Sequence, residues 1–113
     1  MRRVVVRYTV RPERLAEHEA LLQGVFDQLA EVRPAGLRYE VLRLDGSSFL
    51  HLASMSGADN PLPHLEAFQR FTADIGSRVE ARPISAEATQ VAIYGAESAS
   101  PDDLGAPHDS VLP

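Results

Sequence analysis

From Arg3 to Val10 the chain alternates, with Val4, Val6, Tyr8 and Val10 on one side and Arg3, Val5, Arg7 and Thr9 on the other. That period of two predicts a half-buried strand, which Pro12 ends. From Glu13 the period changes to a helical one. Leu15, Leu22, Val25, Phe26, Leu29 and Val32 share a stripe, so a helix is expected to about Val32, closed by Pro34 and Gly36. Leu37–Leu44 and Ser48–Ser56 are two strand-like runs joined by the turn residues Asp45-Gly46-Ser47, which predicts a hairpin. The second run, Phe49-Leu50-His51-Leu52-Ala53, is apolar on both parities, as in a strand covered on both faces. A loop rich in proline then leads to a second helix carrying Leu65, Phe68, Phe71, Ile75 and Val79, with Pro83 past its end. Ala86–Tyr94 supplies the last alternation, with Thr89, Val91 and Ile93 set against Gln90 and Ala92.

The order is β-α-β-β-α-β. Connections of this kind resolve as an α+β, ferredoxin-like split βαβ with both helices on one face of a four-stranded sheet. Residues 1–94 form this single domain, and 113 residues leave room for no second one. From Gly95 onward the composition is that of a flexible acidic tail, whose terminal Val111-Leu112 could dock on a neighbouring subunit.

Composition narrows the chemistry mainly through what is missing. There is no Cys, and every basic residue is Arg. Disulfides, thiolate metal sites and cysteine nucleophiles are therefore excluded, as are Schiff-base lysines and the P-loop lysine. The net charge of -5 resides mostly in Glu97, Asp102, Asp103 and Asp109 of the tail, leaving a nearly neutral body without a basic stripe. Neither a nucleic-acid partner nor an anionic membrane fits that distribution. The apolar stretch Val4–Val6 is too short for a signal-peptide core or a membrane span, so a cytoplasmic location is expected.

The strand end Val10-Arg11-Pro12, the long helix, the strand entry Gly36-Leu37-Arg38-Tyr39, the Phe49-Leu50-His51-Leu52 strand and the Leu65-x-x-Phe68-x-x-Phe71 helix together resemble the dimeric α/β-barrel superfamily. Within it, the chain is most similar to the antibiotic biosynthesis monooxygenase-like proteins. The resemblance spans residues 1–94 and is a pattern of elements. It implies a homodimer in which two sheets pair into a barrel, which would cover the second apolar face of Phe49–Met55. It also implies a pocket between sheet and helices in each subunit. Several members oxidise phenolic or quinol-like intermediates with O₂ and no metal or flavin, and others are isomerases, cyclases or haem degraders. The haem-degrading branch looks to a pocket Trp and Asn, whereas this chain has no Trp and only Asn60, in a loop.

Against that background, His51 sits mid-strand in an apolar run. It is either a general base or a core histidine held by a partner. The hairpin sets which neighbour it meets. A two-residue loop would put Glu40 opposite His51, whereas a three-residue loop puts Val41 there and Tyr39 on the same face. The second register groups Leu37, Tyr39 and Val41 with Phe49 and His51, and is the better fit to the hydrophobic pattern. Tyr8 could hold a substrate oxygen or serve as a core tyrosine. His18, three residues after Leu15 and four before Leu22, points inward or to a pocket rim. Phe26, Met55, Phe68 and Phe71 are expected to line an apolar pocket, and Arg78 could counter a substrate anion or form a surface ion pair. His64 and His108 read as solvated. His18-Glu19 opens like a zincin motif, but Leu22 stands where the second His is required. A metal site from His18, His51 and Glu40 is conceivable without any motif to support it.

These expectations combine in a homodimeric, cofactor-independent monooxygenase-like enzyme for a small aromatic or polyketide-like molecule, needing no metal or cofactor. The alternatives are a small-molecule binding protein, or an isomerase or cyclase using the same pocket.

Overall fold

The computed structural model describes residues 1–95, so the expected tail beyond Gly95, with His108 and Val111-Leu112, lies outside the described residues. The elements are β1 (Arg2–Thr9), α1 (Leu15–Val32, entered through a 3₁₀ turn at Pro12–Arg14), β2 (Leu37–Arg43), β3 (Ser48–Met55), α2 (Glu66–Ala73), α3 (Ile75–Arg78) and β4 (Ile84–Ala88). One antiparallel sheet has the order β2-β3-β1-β4. This is the ferredoxin-like arrangement, with strands consecutive in sequence separated by crossovers except in the central hairpin.

The hairpin takes the three-residue register, with Val41 opposite His51 and Tyr39 opposite Ala53. Parity then sorts the sheet. One face carries Val4, Val6 and Tyr8 of β1 with Phe49, His51, Ala53 and Met55 of β3, and the residues buried there pack against the helices. The other face carries Val5, Leu50, Leu52 and Leu42 with Arg3, Arg7, Arg38 and Glu40. Gly36, at φ +76°, begins the hairpin. That left-handed φ is what calls for glycine; a Cβ there would also push on Ser56 Oγ, in a segment where the Gly36 carbonyl accepts the Ser56 N–H at 2.9 Å.

Two elements differ from the sequence pattern. The second helix is not continuous. It breaks at Asp74 (φ −130°, ψ 29°), and α3 ends where Val79 becomes extended. The Ser77 hydroxyl lies 2.8 Å from the Asp74 carbonyl and 2.9 Å from its carboxylate, sharing its one hydrogen between them, while Val79 pairs with Val10 and the Glu80 N–H donates to the Thr9 carbonyl at 2.9 Å. The helical stripe is thus diverted to extend the pairing at the end of β1. The last strand also lies upstream of the expected Ala86–Tyr94. With Arg7 opposite Ile84 and Arg3 opposite Ala88, β1 has almost run out when β4 reaches Ala88. Val91, Ile93 and Tyr94 consequently pair with no strand and stand exposed. Among the described residues, no helix is long and apolar enough to cross a membrane.

Candidate functional site

The helix-facing side of the sheet carries an unbroken run of polar side chains, buried except for the half-buried Tyr39 at its end. Tyr39 Oη lies 2.6 Å from His51 Nδ1, His51 Nε2 lies 2.6 Å from Tyr8 Oη, and Tyr8 Oη lies 2.8 Å from His18 Nε2. At the inner end Arg78 Nε donates to His18 Nδ1 at 3.1 Å, and its Nη2 donates to the Phe71 carbonyl. The run therefore reads Tyr39–His51–Tyr8–His18–Arg78, supplied by β2, β3, β1, α1 and α3. His18 is 0% exposed, Arg78 1% and His51 5%.

Each member arrives through its element's periodicity. His51 and Tyr8 lie on the inward parity of neighbouring central strands, and His18 takes the helical position between Leu15 and Leu22. Arg78 follows Phe71 and Ile75 at spacings of four and three, which places it on the inward stripe of the broken helix. Backbone pairing then fixes it. The Arg78 carbonyl accepts the Arg11 N–H at 2.8 Å, and the next residue bridges to Val10. The guanidinium lies over the Phe71 ring, 5.4 Å from its centroid. No carboxylate among the described residues comes within salt-bridge distance of it. A charge buried without an ionic partner costs several kcal/mol (on the order of the effective penalty in proteins), so the cation is an expensive feature of this core.

Burial sets the protonation of the run. Desolvation pulls His51 down to about 4, with His18 adding to the effect, and pulls His18 down to about 4 with help from the Arg78 cation. Both rings are neutral near pH 7. Desolvation raises the Tyr8 and Tyr39 hydroxyls above their ordinary value, so both remain protonated. Aromatic faces exclude water from the run, with Phe49 stacked on Tyr8 at 5.7 Å and Phe71 5.0 Å from the His18 ring.

Tyr39 connects this interior to the surface. It stacks on Phe26 with centroids 5.2 Å apart and planes 6° apart, and it lines two open pockets. The larger, about 570 Å³, lies between α1 and the edge strand β2, with Leu22, Phe26, Val41 and Phe49 as its apolar walls and Glu19, Gln23 and Arg43 at its rim. Arg43 is held by Glu19 at 3.0 Å.

The structure thus brings together Tyr8, His18, Tyr39 and His51, with Phe71 beside them and Phe26 one ring away. It changes three expectations. His51 cannot meet a ligand directly, because both ring nitrogens are occupied by tyrosine hydroxyls. Arg78 is neither a surface ion pair nor a lining residue of these two pockets, because α3 turns it inward to His18. Met55 and Phe68 pack in the core beside Leu62 and Leu65 and line neither pocket. His64 is exposed, 3.4 Å from Asp59. Glu40 lies opposite Leu52 on the other sheet face, which separates it from His51 and His18, and no group of metal-binding side chains occurs among the described residues.

No family model matches the sequence, and no curated protein matches it. Solved structures do. A crystal structure of an antibiotic biosynthesis monooxygenase superposes with a TM-score of 0.67 at 16% identity, covering 81% of this chain and 100% of that one. The chain has the antibiotic biosynthesis monooxygenase-like fold. The same fold is shared with Rv0793 from Mycobacterium tuberculosis, with a TM-score of 0.66 at 14% identity over 81% of this chain and 96% of that one. It is shared too with NE2512 from Nitrosomonas europaea, a protein of unknown function, with a TM-score of 0.63 at 17% identity over 82% and 91%. At such identities the likeness concerns the backbone, and chemistry has to be argued from the side chains of this chain.

Proposed function

We propose that this protein is a cofactor-independent, monooxygenase-like enzyme acting on a small aromatic or polyketide-like molecule in the pocket beside Tyr39. The observation that carries the reading is the buried Tyr–His–Tyr–His run ending at a pocket-lining tyrosine. A core needs no such run, since apolar side chains of similar size would fill the space without the cost of desolvating five polar groups. The name of one structural neighbour supports the same choice. Phe26 and Phe49 suit a planar apolar ligand, and the Tyr39 hydroxyl suits an oxygen that becomes negative as the substrate is activated. His51 then acts through Tyr39. An electron-rich substrate anion could reduce O₂ itself. For a methylene oxidised to a carbonyl, one oxygen atom is retained, the other leaves as water, and the substrate carbon supplies all four electrons.

The active form in this proposal is a homodimer. Support comes from the uncovered sheet face, where Val5, Leu50 and Leu52 are only half-buried, Leu42 and Ile84 are exposed, and Val91 and Ile93 follow β4 unpaired. Exposed apolar side chains gathered on one sheet face are what a protein–protein contact would cover.

An oxygen electrode tests the enzymatic reading. Metal-free protein given a panel of polyphenols and their polycyclic ketone tautomers should consume O₂ with at least one of them. Tight binding of a panel member without turnover would support a binding protein instead, and conversion without O₂ uptake would support an isomerase or cyclase.

A further inference from the structure

The direction of every hydrogen bond in the buried run follows from the one group that can only donate. Arginine has no acceptor, so Arg78 Nε–H must donate to His18 Nδ1. His18 Nδ1 is then unprotonated, because a hydrogen there would face the hydrogen of the guanidinium. Neutral His18 accordingly carries its proton on Nε2 and donates it to Tyr8 Oη. The single Tyr8 hydrogen, unable to point back at a donor, goes to His51 Nε2. That leaves the His51 proton on Nδ1, from which it is donated to Tyr39 Oη. Tyr39 is the last link, and its own hydrogen has no partner left within the run.

We infer that Arg78 is a positioning residue that fixes the polarity of the run from α3 to β2, so that Tyr39 presents its O–H outward as an obligatory donor, and the pocket takes a ligand bearing an anionic or strongly accepting oxygen, such as a phenolate, enolate or conjugated carbonyl. The choice of ligand rests on the pocket reading given under Proposed function, whereas the polarity does not depend on it. The reverse polarity would let Tyr39 accept a proton from a phenol. It would require a hydrogen on His18 Nδ1 directed at Arg78, which the 3.1 Å contact forbids. This cation, which meets no carboxylate among the described residues, therefore has a use. It replaces one of two equivalent directions by a single one, and its field lies at the far end of a polarisable run whose mouth is to meet negative charge. With all four links satisfied in this sense, the arrangement is ready before a ligand arrives.

Nitrogen-15 NMR of the histidine rings at neutral pH tests the polarity in the protein alone. His18 is expected as the Nε2–H tautomer and His51 as the Nδ1–H tautomer. Either ring in the other tautomer, or charged, would overturn the proposal. In Arg78→Lys, which keeps a donor cation, both assignments should hold, while in Arg78→Met the His51 signal should change from one tautomer to a mixture. An unchanged single tautomer in Arg78→Met would show that Arg78 does not set the direction. Should that variant fail to fold, Tyr8→Phe cuts the run without touching the charge, and there too His51 should become mixed; a still uniform His51 would contradict transmission through Tyr8. For the ligand class the probe is 4-nitrophenol. Bound to the protein, it should show its phenolate absorption at a pH where the free probe is mostly neutral, and binding as the neutral phenol would overturn the donor assignment. Absence of binding at millimolar probe, with the tautomers as expected, would refute the pocket reading and leave the polarity standing.

Discussion

At the scale of single residues, the site consists of ordinary side chains made unusual by burial. Tyr39 is the member whose hydroxyl can be removed at least structural cost, because its ring still stacks on Phe26 in Tyr39→Phe. That variant should lose about 1–3 kcal/mol of stability, the range for leaving the buried His51 Nδ1–H without its acceptor, and about 10²-fold or more in turnover. Equal turnover in a folded Tyr39→Phe protein would place the chemistry elsewhere. The two histidines make a second prediction, concerning pH. Their neutral forms are favoured in the fold, at about 4 against an ordinary 6.5, so between those values the unfolded chain binds more protons. Stability should be level above about pH 6.5 and fall steadily towards pH 4, beginning before carboxylates titrate. Melting temperatures across that range check this, and a flat profile from pH 7 to 5 would contradict neutral, buried rings. His18 and His51 could be singled out in the sequence by their positions in apolar stripes. The burial of Arg78 could have been read from its spacing to Phe71 and Ile75, but charge argued for the surface, and the pairing of Val79 with Val10, which holds it there, lies outside the period of the segment.

Elements were legible where local pattern and tertiary pairing agree. The hairpin register follows from parity, because a slip by one residue would have sent Leu37, Tyr39 and Val41 to the face opposite Phe49 and His51. Its entry depends on Gly36, where a left-handed φ and the contact with Ser56 coincide. Gly36→Ala should destabilise the fold by about 1–3 kcal/mol, the range for a non-glycine residue in a strained backbone region, as read from urea unfolding. A loss near zero would mean that the hairpin entry relaxes freely. Pattern and pairing disagree at the C-terminal side. The alternation from Ala86 to Tyr94 is real, but the pairing of β4 with β1 runs only from Arg7↔Ile84 to Arg3↔Ala88, so the strand lies upstream of the segment that alternates. Likewise the apolar stripe through Val79 suits a continuous helix, and the hold of Asp74 on Ser77 together with the demand of β1 for a pairing partner breaks it. Neither signal is contained in the period of the segment itself.

For the whole molecule, the helix-facing half of the sheet holds the candidate site and the other half is the proposed dimer surface. Leu52, central in β3 and half-buried on the outward parity, is the residue on which a facing sheet would rest. Sedimentation of the native protein should give twice the chain mass. Leu52→Glu should shift it towards the monomer at micromolar concentration, because the new carboxylate would stand directly opposite Glu40, like charge facing like charge within the covered face. A native protein that is monomeric at that concentration would rule out the dimer. In the proposed site, the buried run ends as a hydrogen-bond donor to a ligand in the Phe26–Phe49 pocket. The most direct measurement is a crystal structure with a bound phenolate. A ligand oxygen is expected at about 2.5–3.0 Å from Tyr39 Oη, the ordinary range for an O–H···O bond, with the ring against Phe26. A phenolate seated with its oxygen away from Tyr39, or in a different pocket, would contradict it.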